Sequence, residues 1–183
     1  MKKFETERLF LEEISLNDAE FILRLYNTPK FIEHIGDKNL RTVADAEKYI
    51  NEKFLPQLEN LGYGNYLIRR KLDGQKIGAV GIFTREGLEV SDIGFSFLEE
   101  FEGNGYGQES ASKLLEKAFL DFGLKTISAI TTKENHASQN LIKKLGLTYL
   151  KIIQLPDDPV ELLYFEITKE SWLNHRKIQN DLN

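Results

Sequence analysis

Gly103, Gly105 and Gly107 stand at alternate positions in FSFLEEFEGNGYGQES, residues 95–110. They lie where a strand pattern gives way to a helix pattern, so unpaired amide N–H groups there can approach an anion with no side chain in the way. The chemistry this spacing suits is phosphate binding. Neither common nucleotide pattern is met: no Gly-Lys-Ser/Thr follows, and the register Gly105-x-Gly107-x-x-Ser110 lacks a third glycine. The competing reading is a glycine-rich turn that only shapes the start of a helix. With no cysteine in the chain, disulfides, thiolate metal sites and a cysteine nucleophile are excluded. His34, His136 and His175 are scattered and match no acidic helix pattern, so no metal site is expected.

The chain that carries these residues has 183 positions and 41% hydrophobic content, which suits one domain with a sizeable core. Its 24 basic and 29 acidic residues leave a net charge of −5 with no block of like charges, which argues against a nucleic-acid partner. The start, MKKFETERLF, turns charged at once, and no apolar run approaches about 18 residues, so a cytoplasmic protein without a membrane partner is expected.

RLFLEEI (8–14) alternates as a strand does, and SLNDAEFILRLYN (15–27) follows with Ser15 and Asp18 at capping-box spacing before a helical pattern. TVADAEKYINEKFLPQLEN (42–60) repeats that design from Thr42 and Asp45. YGNYLIRRKL and QKIGAVGIFT flank Asp73-Gly74, a hairpin signal, and EVSDIGFSFL (89–98) reads as a third consecutive strand. Beyond the glycines, Ser110, Leu114, Leu115, Ala118, Phe119 and Phe122 share one face of a helix ending at Gly123. TISAITT is a strand, NHASQNLIKKLG a helix, and LTYLKII and VELLYFEIT closing strands. The expectation is an α+β fold, with a mixed, mostly antiparallel central sheet of about seven strands and helices on both faces. Residues 1–170 are read as a single domain and 171–183 as a short C-terminal helix or tail.

A second constellation adds to the glycines. ENHASQNLIKKLGL resembles the Asn-x-x-Ser-x-x-Leu-x-x-Lys-x-Gly segment of the GCN5-related N-acetyltransferase (GNAT) superfamily, with Asn135, Ser138, Leu141, Lys144 and Gly146 in register. FETERLFLEEISLNDAEFI (4–22) is similar to the opening strand and helix of its RimJ/RimL-type branch, and DIGFSFLEEFEGNGYGQES to that branch's fourth strand and acyl-CoA loop. The resemblance covers about residues 4–170.

It implies acetyl-CoA as co-substrate, without a metal, and a pyrophosphate held by amides around Gly103, Asn104, Gly105, Tyr106 and Gly107. It implies pantetheine along strand 90–98, with free amides near Phe97 and Leu98 binding it and the acetyl oxygen. Glu102 departs from the Gln or Arg common at the head of the loop, and its charge opposes a pyrophosphate unless it points outward. Where many members carry a proton-donating tyrosine, this chain has Ile142, and the branch's serine donor carries over to Ser138. Asn135 caps the same helix or bonds pantetheine.

Ser138 also admits the reading of an ordinary hydroxyl bonding backbone in a first turn. Relatives often have a glutamate at the position of Asp92, which makes Asp92 a candidate base. Strand alternation sets it on one face with Gly94 and Ser96. Asp157 and Asp158 are the rivals. The expected reaction is direct transfer of acetyl to a primary amine, either a protein N-terminus or a small molecule. The alternative is a non-catalytic acyl-CoA-binding or dimeric interaction protein. A homodimer is a common arrangement in the superfamily.

Overall fold

The computed structural model describes residues 2–181, with side chains as far as Lys177, so the last two residues of the expected C-terminal tail lie outside the described residues. The strands form one eight-stranded sheet in the order β1-β2-β3-β4-β5-β6-β8-β7. These are β1 (Lys3–Glu5), β2 (Leu9–Glu13), β3 (Asn65–Arg70), β4 (Lys76–Phe83), β5 (Asp92–Phe97), β6 (Thr126–Thr132), β7 (Thr148–Ile153) and β8 (Leu162–Thr168). The class is the expected α+β, and the register between β5 and β6 is parallel in an otherwise antiparallel set of described pairings. By its contacts the chain divides into two compact units, Met1–Ile82 with Phe95–Leu114 and Phe83–Gly94 with Leu115–Asn183.

In the first unit β2 alternates as its sequence dictates, with Leu9 and Leu11 fully buried. β4 is a continuous apolar run, buried from Ile77 to Ile82, as suits a strand covered on both faces. The Asp73-Gly74 turn forms with Gly74 at φ +71° and closes through Arg70 N–H to Gln75 O at 2.9 Å. Both capping boxes form: Ser15 donates N–H and Oγ to Asp18 Oδ2, and Thr42 and Asp45 bond reciprocally at 2.8 and 3.1 Å. Helix α1 (Ala19–Tyr26) buries Phe21, Ile22, Leu25 and Tyr26.

Three features differ from the expectation. β1 is an eighth strand, paired antiparallel with β2 from Lys3 opposite Glu12. Three residues of alternating charge are too short to register as a strand before their partner is known. A second helix, α2 (Pro29–Ile35), begins with proline at its first position and ends at Gly36, φ +97°. The single helix expected over 42–60 is α3 (Val43–Tyr49), a π segment (Ile50–Phe54) and α4 (Leu55–Leu61). Pro56 has no N–H to continue the ladder, and the wider π turn falls just ahead of it.

In the second unit β6, β8 and β7 form an antiparallel ribbon, and Asp92 at the start of β5 lies opposite Ser128 of β6. The long helix α5 (Tyr106–Leu120) runs from the glycine loop into this unit, where Phe119 packs on Trp172 of α7 (Lys169–Asp181) at 5.3 Å between ring centroids. Helix α6 (His136–Lys144) precedes β7. Among the described residues no helix is long and apolar enough to cross a membrane.

Candidate active site

The glycine loop is anchored on its leading side by buried Leu98 and Phe101, joined by Phe101 N–H to Leu98 O at 2.9 Å. Glu102 is extended, and Gly103 and Gly105 then turn the chain with φ of +73° and +79°, a region that favours glycine. A Cβ at Gly103 would meet nothing within 4 Å, so the backbone there is open. Asn104 Nδ2 donates to Glu102 O at 2.9 Å and folds the loop on itself. The first helical bond across the start of α5 is Glu109 N–H to Gly105 O at 3.1 Å, so the amides of Tyr106, Gly107 and Gln108 precede any i−4 acceptor in the helix. Open backbone and amides at a helix start together fit a diphosphate. Gly107 lies inside the helix and its φ is not positive, so what it contributes is the missing side chain.

The loop is held by residues that sequence patterns did not single out. Glu109 accepts from Thr6 Oγ1 at 2.5 Å, from Arg8 N–H at 2.8 Å and from Arg8 Nε at 2.6 Å. Arg8 Nη1 reaches Asn104 O at 3.0 Å, and its guanidinium lies 4.6 Å from the Tyr106 ring centroid. Burial pushes the Glu109 carboxyl up, but the bonds from Thr6 and Arg8 outweigh it and hold it below the ordinary carboxylate range. Arg70 pairs with Asp73, lies 4.8 Å from the Phe101 ring and bonds the Tyr106 side chain. Glu102, whose charge threatened the phosphate reading, is paired with Lys30 Nζ at 2.5 Å. No spacing in the sequence links residues about one hundred positions apart, so this clamp had no signal to find.

Along β5 the expectation of two free amides is corrected for Leu98. Its N–H donates to Ile77 O at 3.0 Å, so it belongs to the ladder with β4. Successive amides of a strand point to opposite edges, which turns the Phe97 N–H away from β4. Gly78 makes room here, since a Cβ on it would lie 2.7 Å from the Phe97 ring.

Asp92 is 1% exposed and accepts from Arg85 Nε at 2.7 Å. Burial pushes its carboxyl up, ahead of the opposing pull of Arg85. This carboxylate is not presented to solvent, contrary to the picture of one waiting for an ammonium. Asp157 is exposed at φ +59°, and Asp158 is tied into its own turn by accepting from Val160 N–H at 2.9 Å. Tyr164, also missed, donates its hydroxyl to Glu166, and burial followed by that partner pushes the phenol up to about 12.

Asn135 caps α6, its Oδ1 accepting from Ser138 N–H at 3.0 Å. The Ser138 Oγ makes no hydrogen bond among the described residues, unlike an ordinary first-turn hydroxyl bonding backbone. Ile142 is 1% exposed and belongs to the core. His136 is exposed, and among the described residues no group of three or more His, Cys, Asp or Glu side chains could hold a metal ion.

Known proteins resemble this chain in sequence and in fold. An uncharacterized N-acetyltransferase of Bacillus subtilis (strain 168), YoaA, is 28% identical over 143 residues, covering 78% of this chain and 80% of that protein. The crystal structure of an acetyltransferase from Agrobacterium tumefaciens str. C58 superposes with a TM-score of 0.78 at 22% identity, covering 92% of this chain and 95% of the other. RimL, a ribosomal L7/L12 alpha-N-protein acetyltransferase in complex with coenzyme A, superposes with a TM-score of 0.79 at 14% identity, covering 93% and 99%. The sequence model of the acetyltransferase (GNAT) domain matches residues 8–148, and on that match the chain belongs to the GNAT acetyltransferase family, whose members use acetyl-CoA.

Proposed function

We propose that the chain transfers the acetyl group of acetyl-CoA directly to a primary amine, most readily the α-amine of a protein N-terminus or a small amine of similar basicity. The observation that carries this reading is the backbone that is open at Gly103 and turns at Gly105, leading into the amides at the start of α5 and braced by Arg8 and Glu109. Those amides hold the diphosphate, and the Phe97 N–H faces the acyl end, where a fixed donor stabilises the oxyanion formed by amine attack. Ser138, whose Oγ has no hydrogen-bond partner among the described residues, protonates the departing thiolate, and Asn135 keeps the α6 terminus in shape.

For the base, Asp157 is the freer carboxylate, while the burial of Asp92 against Arg85 suits a residue that fixes the start of β5. An α-amine of pKa about 7.7–8.0 is roughly 10–15% neutral at pH 7, whereas a lysine of pKa about 10.4 is neutral to only a few parts in ten thousand. A site without an emphatic exposed base therefore favours the α-amine. The fold likeness to RimL, named as an alpha-N-protein acetyltransferase, points the same way.

The test is incubation of the protein with acetyl-CoA and a panel of peptide N-termini, small amines and lysine side chains, following release of free thiol. Amine-dependent release, greatest for α-amines, is expected. Coenzyme A binding without release for any amine would turn the reading to a non-catalytic acyl-CoA-binding protein.

A further inference from the structure

The lead-in to the phosphate loop carries Glu99, Glu100 and Glu102 within four residues, an unfavourable approach for a diphosphate. Cations from two other elements converge on it. Lys30, in the first turn of α2, places Nζ 2.5 Å from Glu102 and 3.7 Å from Glu99, and Arg24 of α1 sets Nη2 2.7 Å from Glu100. These side chains also line a small cavity of about 160 Å³ that reaches Phe97 and Leu98. The bond from Glu102, with help from Glu99, holds the Lys30 ammonium above the ordinary lysine range, so it is charged at any working pH.

We propose that Lys30 is a positioning residue for coenzyme A, acting through Glu102: it cancels the charge at the head of the loop and keeps that carboxylate turned from the diphosphate, with Arg24 doing the same for Glu100. The inference rests on the assignment of the Gly103–Gly107 backbone to the diphosphate. Its basis is the anomaly itself. An acidic residue heads an anion-binding loop, and a lysine from a distant part of the chain meets it at contact distance. A carboxylate left without this partner opposes the ligand's negative charge, whereas one that is removed leaves Lys30 free to attract it.

The two halves of the pair therefore act on ligand binding with opposite signs. A pair that only tethered α2 to the loop would lose the same contact whichever half was removed.

The test is calorimetric titration of the full chain with coenzyme A at low ionic strength and again in high salt. Lys30→Ala is expected to weaken binding and Glu102→Gln to tighten it, each about two- to fivefold at low salt and less in high salt, the range of exposed ion pairs. The double variant should return to near the wild-type Kd, and Lys30→Arg should keep it. Equal weakening by Lys30→Ala and Glu102→Gln, with no recovery in the double variant, would overturn the proposal in favour of a tether. Unchanged affinity in both Lys30→Ala and Glu102→Gln would overturn it as well. Wild-type protein that does not bind coenzyme A would remove the diphosphate assignment and this inference together, a result distinct from either.

Discussion

Ser138 sits at the fourth place of a helix start whose cap is already complete, because Asn135 Oδ1 takes the Ser138 amide. Its hydroxyl is thus not needed for folding, and losing it should leave the structure and the coenzyme A affinity intact. Ser138→Ala is expected to lower kcat about 10²-fold or more with Kd for coenzyme A nearly unchanged, since positioned proton transfer contributes about 10²–10⁴. Near-normal turnover in the folded variant would leave thiolate protonation to another group. Sequence spacing found Ser138 and Asn135 because both lie within one helical turn. It could not find the pairing of Asp92 with Arg85, which depends on how the stretch between β4 and β5 folds back on itself.

At the scale of elements, the loop and helix from Glu102 to Leu120 set three glycines in two different roles. Gly105 is held at φ +79°, and a Cβ there would lie 3.3 Å from Arg8 Nη2, so Gly105→Ala should cost about 1–2 kcal/mol of stability. Gly107 is helical, so Gly107→Ala should be neutral or stabilising by up to about 1 kcal/mol. Urea unfolding of the two variants checks the contrast, and equal losses would mean that the backbone at Gly105 is not strained by a side chain. Helix α2 and the π segment after Tyr49 went unread for a related reason: both are set by prolines and by burial rather than by a sustained hydrophobic period.

At the scale of the molecule, Glu109 joins the first residues of the chain to the phosphate loop, and its carboxyl is held below its unfolded value of 4.5. The unfolded chain therefore takes up this proton more readily than the folded one. Its contribution to stability is complete above pH 4.5 and disappears as pH falls through the lower folded value. In urea titrations across that acid range, Glu109→Gln should show a shallower fall of stability with pH than wild type; identical slopes would refute the linkage.

The sequence by itself determined most of the strand and helix types, the Asp73-Gly74 hairpin, both capping boxes and the glycine loop with its helix, because each is decided by neighbours within a turn or two. Tertiary structure alone decided which groups meet: Arg8 with Glu109, Lys30 with Glu102, Arg85 with buried Asp92, and the Leu98 amide with Ile77. Coulomb and hydrogen-bond energies depend on distance in space, and for most of these partners that distance exists only after the strands and helices between them have packed.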